Sequence, residues 1–222
     1  MSSTPKYNNV EIRHMDILAM GNARITISES PDGDYHVSKM EPGGNLWVIP
    51  GDTGILFIKA LPDLRPEISI VAGNEEIMRP APARDCDIAI MVPADALYTT
   101  YLQAGERSNV EINMDLGAIT IRTEDQADVT VNTMSGVMNV IGNGQSQIKL
   151  ASVQDALTLK VSLKNEAKFD ASDIHLITPH ITLEDNATLL CASREGGLFE
   201  KSGKATLKDR SKVKQNTAEI GL

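Results

Sequence analysis

Four histidines, two cysteines and a few closely spaced carboxylates are the residues of this chain whose types could do chemistry. His175 and His180 stand in "HLITPH" with a proline between them, so joint ligation of a metal would need a bend, and the sequence suggests no third ligand. Asp32-Gly-Asp34 and Asp85-Cys-Asp87 offer paired carboxylates, but the first falls in an apparent hairpin turn and the second straddles a strand. Solvated positions are expected there rather than calcium ligation or proton transfer. Cys86 alternates with Ile88, Ile90 and Val92, and Cys191 follows Leu189 and Leu190, so both read as buried free thiols. Gly142-Asn-Gly144 is a turn without a following helix to present amides to a phosphate. Asn186-Ala-Thr188 fits a glycosylation pattern and reads as a corner asparagine. We expect no catalytic residues, no cofactor-binding residues and no metal-binding residues, and the ligand is left unspecified.

Composition narrows what must position such residues. Hydrophobic residues make up 41% of the 222 but aromatic ones only 4%, so the interior has to be built from Ile, Val, Leu, Met and Ala in thin layers. The formal net charge of −9 is uneven: 11 Lys and Arg face 20 Asp and Glu through Leu150, and 10 face 10 after it. An acidic surface disfavours nucleic acid, which needs clustered cations. The exception is Glu200 to Lys214, with six basic residues and two acidic, a solvated face or a contact for an anionic partner. No stretch is long and apolar enough for a membrane span. The opening "MSSTPKYNNVEIRHMDI" lacks a charged region followed by an apolar run, so no secretory leader is read. The chain as given is expected in the cytoplasm, or at the cell surface if a leader was removed.

Short alternating runs recur: Arg24 to Ser28, Leu46 to Ile49, Ile55 to Lys59, Cys86 to Val92 and Val110 to Met114. These read as strands, separated by turn sequences such as "PDGD" at Pro31 and "PGDTG" at Pro50. Residues 61–84 carry Pro62, Pro66, Pro80 and Pro82 and read as a long excursion around one short strand, Glu67 to Val71.

From residue 105 onward the chain repeats itself. A small-x-apolar phrase recurs as Ser108-Asn-Val110, Ala127-Asp-Val129, Ser146-Gln-Ile148, Ala167-Lys-Phe169 and Ala187-Thr-Leu189, the apolar members 19, 19, 21 and 20 residues apart. Lys204 to Leu207 and Ser211 to Val213 read as degenerate copies. Second apolar runs lie between the copies, at Ala118 to Ile121, Val137 to Ile141, Leu157 to Val161 and Ile174 to Ile177. Two or three strands per period of about 20 residues is what one coil of a β-solenoid requires, each coil stacking on the last at about 4.8 Å. The small residue lets the chain turn a corner beside its neighbour. The residue just before it is expected to tolerate a left-handed backbone.

The run "VSLKNEAKFDASDIHLITPHITLEDNATLLCAS" resembles the recurring L-x-G-A-S pattern of the GIN domain family, the auto-transporter adhesin head domains. "VEIRHMDILAMGNARITISES" is similar to the opening strand pair of that family. "DIAIMVPADALYTTYLQAGERSNVEI" is similar to its V-P segment, with Val92-Pro93 as the V-P step. The resemblance covers about residues 8 to 213, with Asn165-Glu166 and Asp185-Asn186 where the family favours glycine. It implies a right-handed parallel β-helix and brings no catalytic residues with it.

The expected fold is therefore all-β, one domain over 1–222: an irregular β region at 8–104 including the excursion at 61–84, regular coils at 105–213, and a tail at 214–222. A stacked-coil surface of this kind is expected to serve as a noncatalytic binding or adhesion-type module for a protein or a glycan. The alternative is a structural protein whose coils stack between chains, since solenoid ends expose unpaired strand edges; a homo-oligomer suits both. A polysaccharide-active enzyme is the third reading. Glu124, Asp125, Asp128, Asp170, Asp173, Glu184 and Asp185 fall at coil corners, but beside lysines, and Trp47 is the sole tryptophan for sugar stacking.

Overall fold

A computed structural model describes residues 12–40, 44–49, 54–61, 66–71, 75–80, 86–93, 98–174, 179–192 and 204–216. Among these there is no helix. β1 (Ile12–Ala19) and β2 (Ala23–Ser30) form one winding around the corner Met20-Gly21-Asn22. β3 (His36–Met40) and β4 (Gly44–Ile49) follow, then β5 (Gly54–Ala60), the hairpin of β6 (Pro66–Val71) and β7 (Glu75–Pro80), β8 (Cys86–Pro93) and β9 (Thr99–Ala104). Three long bent strands come next: β10 (Asn109–Thr123), β11 (Asp128–Gly142) and β12 (Gln147–Leu163). The last windings are shorter, with β13 (Lys168–Ala171), β14 (His180–Leu183), β15 (Thr188–Ala192), β16 (Lys204–Leu207) and β17 (Lys212–Asn216).

Parallel pairing arranges these strands in two columns. One runs β8, β2, the first half of β10, β11 and β12, then β13, β15 and β17; the other runs β5, β1, β9, the second halves of β10, β11 and β12, then β14 and β16. The core lies between the columns. In β10 the even-numbered Val110, Ile112, Met114 and Leu116 are buried, then the odd-numbered Ile119, Ile121 and Thr123. That parity flips at register shifts between Ile112 and Ala118, an irregularity that turns the chain from one column into the other. Register partners then stack as rows: Ile88, Ile25, Val110, Val129, Ile148, Phe169, Leu189 and Val213 form one. Each fully inward Val, Leu or Ile contributes roughly 1.5–3 kcal/mol. No single winding could bury its own face.

On the opposite side the chain turns through a short corner with a repeated conformation. Gly21, Glu106, Asp125, Gly144, Asn165, Asp185 and Asp209 all have φ between 57° and 70°. Two residues later stands Ala23, Ser108, Ala127, Ser146, Ala167, Ala187 or Ser211, the small residue of the repeat. The left-handed residue therefore lies one position earlier than the sequence pattern suggests, which explains why Arg107 and Arg210 are tolerated just before the small residue. Most of these turns close on themselves, as in Ala127 N–H to Glu124 O at 3.3 Å. The inter-strand ladder also continues through the corners: Gln126 N–H donates to Glu106 O at 2.8 Å and Asn186 N–H to Asn165 O at 2.8 Å.

Several expectations need correcting. Residues 61–84 hold two strands, not one: β6 and β7 pair antiparallel, Pro66 opposite Pro80, so the prolines sit at the hairpin's ends where the ladder loses least. This hairpin stands between β5 and β8, in the position a four-residue corner occupies in other windings. Lys204 to Leu207 is a second-column strand on β14 rather than a copy of the small-x-apolar phrase, and Ser211-Lys-Val213 is the true next rung. In the winding after β13 the second column is filled by His180–Leu183, in register with Lys160–Leu163. Of the run at Ile174 to Ile177, Ile174 belongs to no strand and the rest lies outside the described residues.

The region 8–104 supplies the first rungs of the same sheet, in an order that differs from the sequence. β1 lies between β5 and β9, and β2 lies between β8 and β10. β3 and β4 pair antiparallel to β8 and β5 and close that end of the stack.

Candidate functional site

The corners stack into a polar ridge, and along it runs an open groove of about 650 Å3 lined by Asn22, Glu106, Arg107, Asp125, Gln126, Gly144 and Gln145. Its geometry follows from the turn. The left-handed position places Glu106 and Asp125 side by side on successive windings, and the next position places Asn22, Arg107, Gln126 and Gln145 beside them. Side-chain amides link the rungs: Gln126 Nε2 donates to Gln145 Oε1 at 3.2 Å, and Gln145 Nε2 to Glu166 Oε2 at 2.9 Å. Further along, Asn165 Nδ2 bonds Asn143 Oδ1, and the Asn165 N–H donates to Asp185 Oδ2 at 3.1 Å. Glu184 sits between Lys208 at 2.6 Å and Lys164 at 2.9 Å, and these bonds, that from Lys208 foremost, hold its carboxyl down at about 2.

A second, smaller hollow of about 270 Å3 lies on the outer face of the first column, lined in part by Asn109, Asp128, Gln147, Lys149, Lys168 and Asp170. Burial raises the Asp128 carboxyl above its ordinary value. Burial also acts upward on Asp170, but bonds from Ser172 and the Lys168 ammonium outweigh it and the carboxyl lies low. The Ser172 N–H donates to Asp170 Oδ1 at 3.1 Å.

The residues singled out in the sequence are dispersed. Asp32 accepts from Ser30 Oγ at 2.6 Å, from the Asp34 N–H at 3.1 Å, and bonds His36 Nε2 at 2.7 Å. A serine, a histidine and an aspartate thus meet, but the carboxylate stands in the middle and it, not the imidazole, accepts from the Ser30 hydroxyl, which is the wrong order for a histidine-activated nucleophile. The side-chain bond from Ser30, then that from His36, depress the Asp32 carboxyl far below its usual range. Asp87 pairs with Lys39 at 2.5 Å. Glu124 approaches Arg122 at 3.4 Å. Asp173 is exposed, and His180 faces outward between Lys160 and Lys204. Asp85, His175 and the side chain of Trp47 lie outside the described residues. Neither Cys86 nor Cys191 forms a disulfide, and both are buried. Among the described residues no three His, Cys, Asp or Glu converge as a metal site, and no helix is long and apolar enough to cross a membrane.

Sequence reasoning found Asp125 and the Gly142–Gly144 corner but missed Asn22, Glu106, Arg107, Gln126 and Gln145 as a group. The signal available was their fixed place before the small residue of each repeat.

No family model matches the chain, and no curated protein matches it. The GIN resemblance therefore rests on the residues quoted for it. A solved structure described as a "putative cell adhesion protein" from Clostridium sporogenes aligns over 96% of this chain and 93% of its own, at 11% identity and a TM-score of 0.36. A superposition that loose contributes nothing to a functional assignment.

Proposed function

We propose that this chain is a noncatalytic binding module of the adhesion type, a right-handed parallel β-solenoid of the GIN kind that uses its corner ridge to hold a hydroxyl-rich ligand such as a glycan. The observation that carries this reading is the groove over successive corners, where Asn22, Arg107, Gln126 and Gln145 supply donors and Glu106 and Asp125 supply acceptors in a repeat set by the winding. Polar groups spaced at the strand separation of about 4.8 Å suit a ligand that itself repeats hydroxyls along a chain. Glu106 and Asp125 are both exposed and no apolar wall surrounds them. That setting supports recognition over acid-base chemistry, which depends on carboxyls placed in contrasting environments.

The test is a glycan array followed by NMR titration of any hit. Shifts confined to residues 106–107, 125–126 and 144–145, weakened in Gln126→Ala and Gln145→Ala, are the expected result. Silence across neutral and acidic glycans up to about 1 mM, a binding free energy of roughly −4 kcal/mol, would sink it. Release of reducing ends from a polysaccharide would instead identify an enzyme. Concentration-dependent growth in sedimentation would favour the structural reading.

A further inference from the structure

The two ends of the stack are built differently. At one end β3 and β4 pair antiparallel onto the parallel strands. At the other, β17 lies on β15 and β16 on β14, and among the described residues nothing pairs with their outer edges. The inward rows are visible there: Ala205 is exposed, Leu207 is 49% exposed, and Val213 is half-buried although it lies in register on the buried Leu189. A sheet edge with an open apolar row beside it is a template for one more strand.

Charge decides what kind of strand. Lys204, Lys208, Arg210, Lys212 and Lys214 are all exposed at this end, with Asp209 as the acidic residue among them. Lys208 is committed to Glu184. Lys212 and Lys214 flank Val213 on β17, so along this edge two outward cations bracket one inward apolar residue. A second copy of the chain meeting this end with its own would set these lysines against each other, which is unfavourable.

We propose that β17 accepts an extended acidic peptide as an added strand, with the alternation acidic-apolar-acidic complementary to Lys212-Val213-Lys214. The peptide's main chain continues the ladder, its apolar residue covers Val213 and its carboxylates meet the two lysines. This surface is separate from the corner groove, so either proposal can fail alone.

The full-length chain is titrated at low salt with a labelled (Glu-Val)n peptide, a scrambled peptide of equal composition with its acids blocked together, and the alternating peptide with one central proline. Tight binding of the alternating peptide alone is expected, weakened about tenfold by Lys212→Glu or Lys214→Glu. Lys149→Glu, on the same face but mid-stack, leaves it unchanged. Circular dichroism of each variant verifies folding, and Lys214→Gln gives a second, milder readout. Equal binding of the proline or scrambled peptide would overturn the added strand in favour of unspecific charge attraction. Heparin competing at equal charge would do the same in favour of a polyanion. Self-association abolished by Lys212→Glu would replace the peptide with a second copy.

Discussion

Leu163 occupies the space that a side chain on Gly142 would need. The two are register partners on β12 and β11, and a Cβ on Gly142 would lie 2.8 Å from Leu163 Cδ2, with Ile148 Cδ1 at 3.2 Å and Ala167 Cβ at 3.3 Å. Their row reads Ala104, Thr123, Gly142, Leu163, Leu183, so the glycine marks the rung where small inward residues give way to large ones. Gly142→Ala is expected to overpack the site and cost about 1–3 kcal/mol. Leu163→Ala alone should cost about 2–5 kcal/mol through the cavity it leaves. The double variant should be more stable than the sum of the two, and urea denaturation of all four proteins measures that coupling.

Two serines of the small-residue row should respond oppositely to the same change. Ser108 Oγ is buried and has no hydrogen-bond partner among the described residues, whereas Ser146 Oγ accepts from Thr123 Oγ1 at 2.8 Å. Ser108→Ala removes an unmet polar group and should stabilise the chain by about 1 kcal/mol, while Ser146→Ala strands the buried Thr123 hydroxyl and should cost about 1–3 kcal/mol. Thermal melts of both variants, read against the parent, check the opposite signs.

Glu184 should make stability depend on pH in the acid range. Its folded value of about 2 lies below its ordinary 4.5, so the carboxylate's contribution is complete above about 4.5 and is lost as pH falls toward 2. Glu184→Gln should therefore lower stability at neutral pH and converge with the parent as both are acidified. Because the site is open to water, high salt should shrink the difference. A gap that widens below pH 4.5 would contradict the assignment.

Cys191 should be inert in the native protein. It is fully buried, and burial pushes its thiol above the ordinary value, which disfavours the nucleophilic thiolate. Maleimide labelling should modify neither Cys191 nor the equally buried Cys86 until denaturant is added. Labelling at native rates comparable to a free peptide would show that the stack opens locally there.

The β6–β7 hairpin replaces a corner and, among the described residues, pairs only with itself. Joining Ala60 to Cys86 through a corner such as Lys-Asn-Glu should preserve the parallel ladder on both sides. Circular dichroism and a melting temperature within a few degrees of the parent are expected, a shift that for a chain this size corresponds to about 1 kcal/mol.

What could be read from the sequence follows from how the rungs are ordered. Val110, Val129, Ile148, Phe169 and Leu189 are neighbours in space and consecutive along the chain, so their spacing announces the stack. Ile25 belongs to the same row, but its partners are Ile88 and Val110, far away in sequence, and no periodicity links them. The hairpin is half legible: one of its strands shows in Glu67 to Val71, while the prolines, Pro66 and Pro80 at its ends among them, hide the second. The groove was the least legible feature. Its lining combines one or two residues from each of four corners, and at each corner the left-handed turn already favours Asn, Asp and Gly, which hides any selection for binding.

The placement of β1 and β2 has a consequence for how the molecule can be assembled and dismantled. β1 and β2 precede all four of their neighbours in the chain yet form an interior rung, flanked by β5 and β8 on one side and by β9 and β10 on the other. The chain must therefore leave a gap beside β2 while β3 waits for β8 to enter it. Deleting β16 and β17 would peel rungs off an end. Removing the first thirty or so residues would instead take a plank from the middle, and the two remaining stacks would face each other across a space neither can fill.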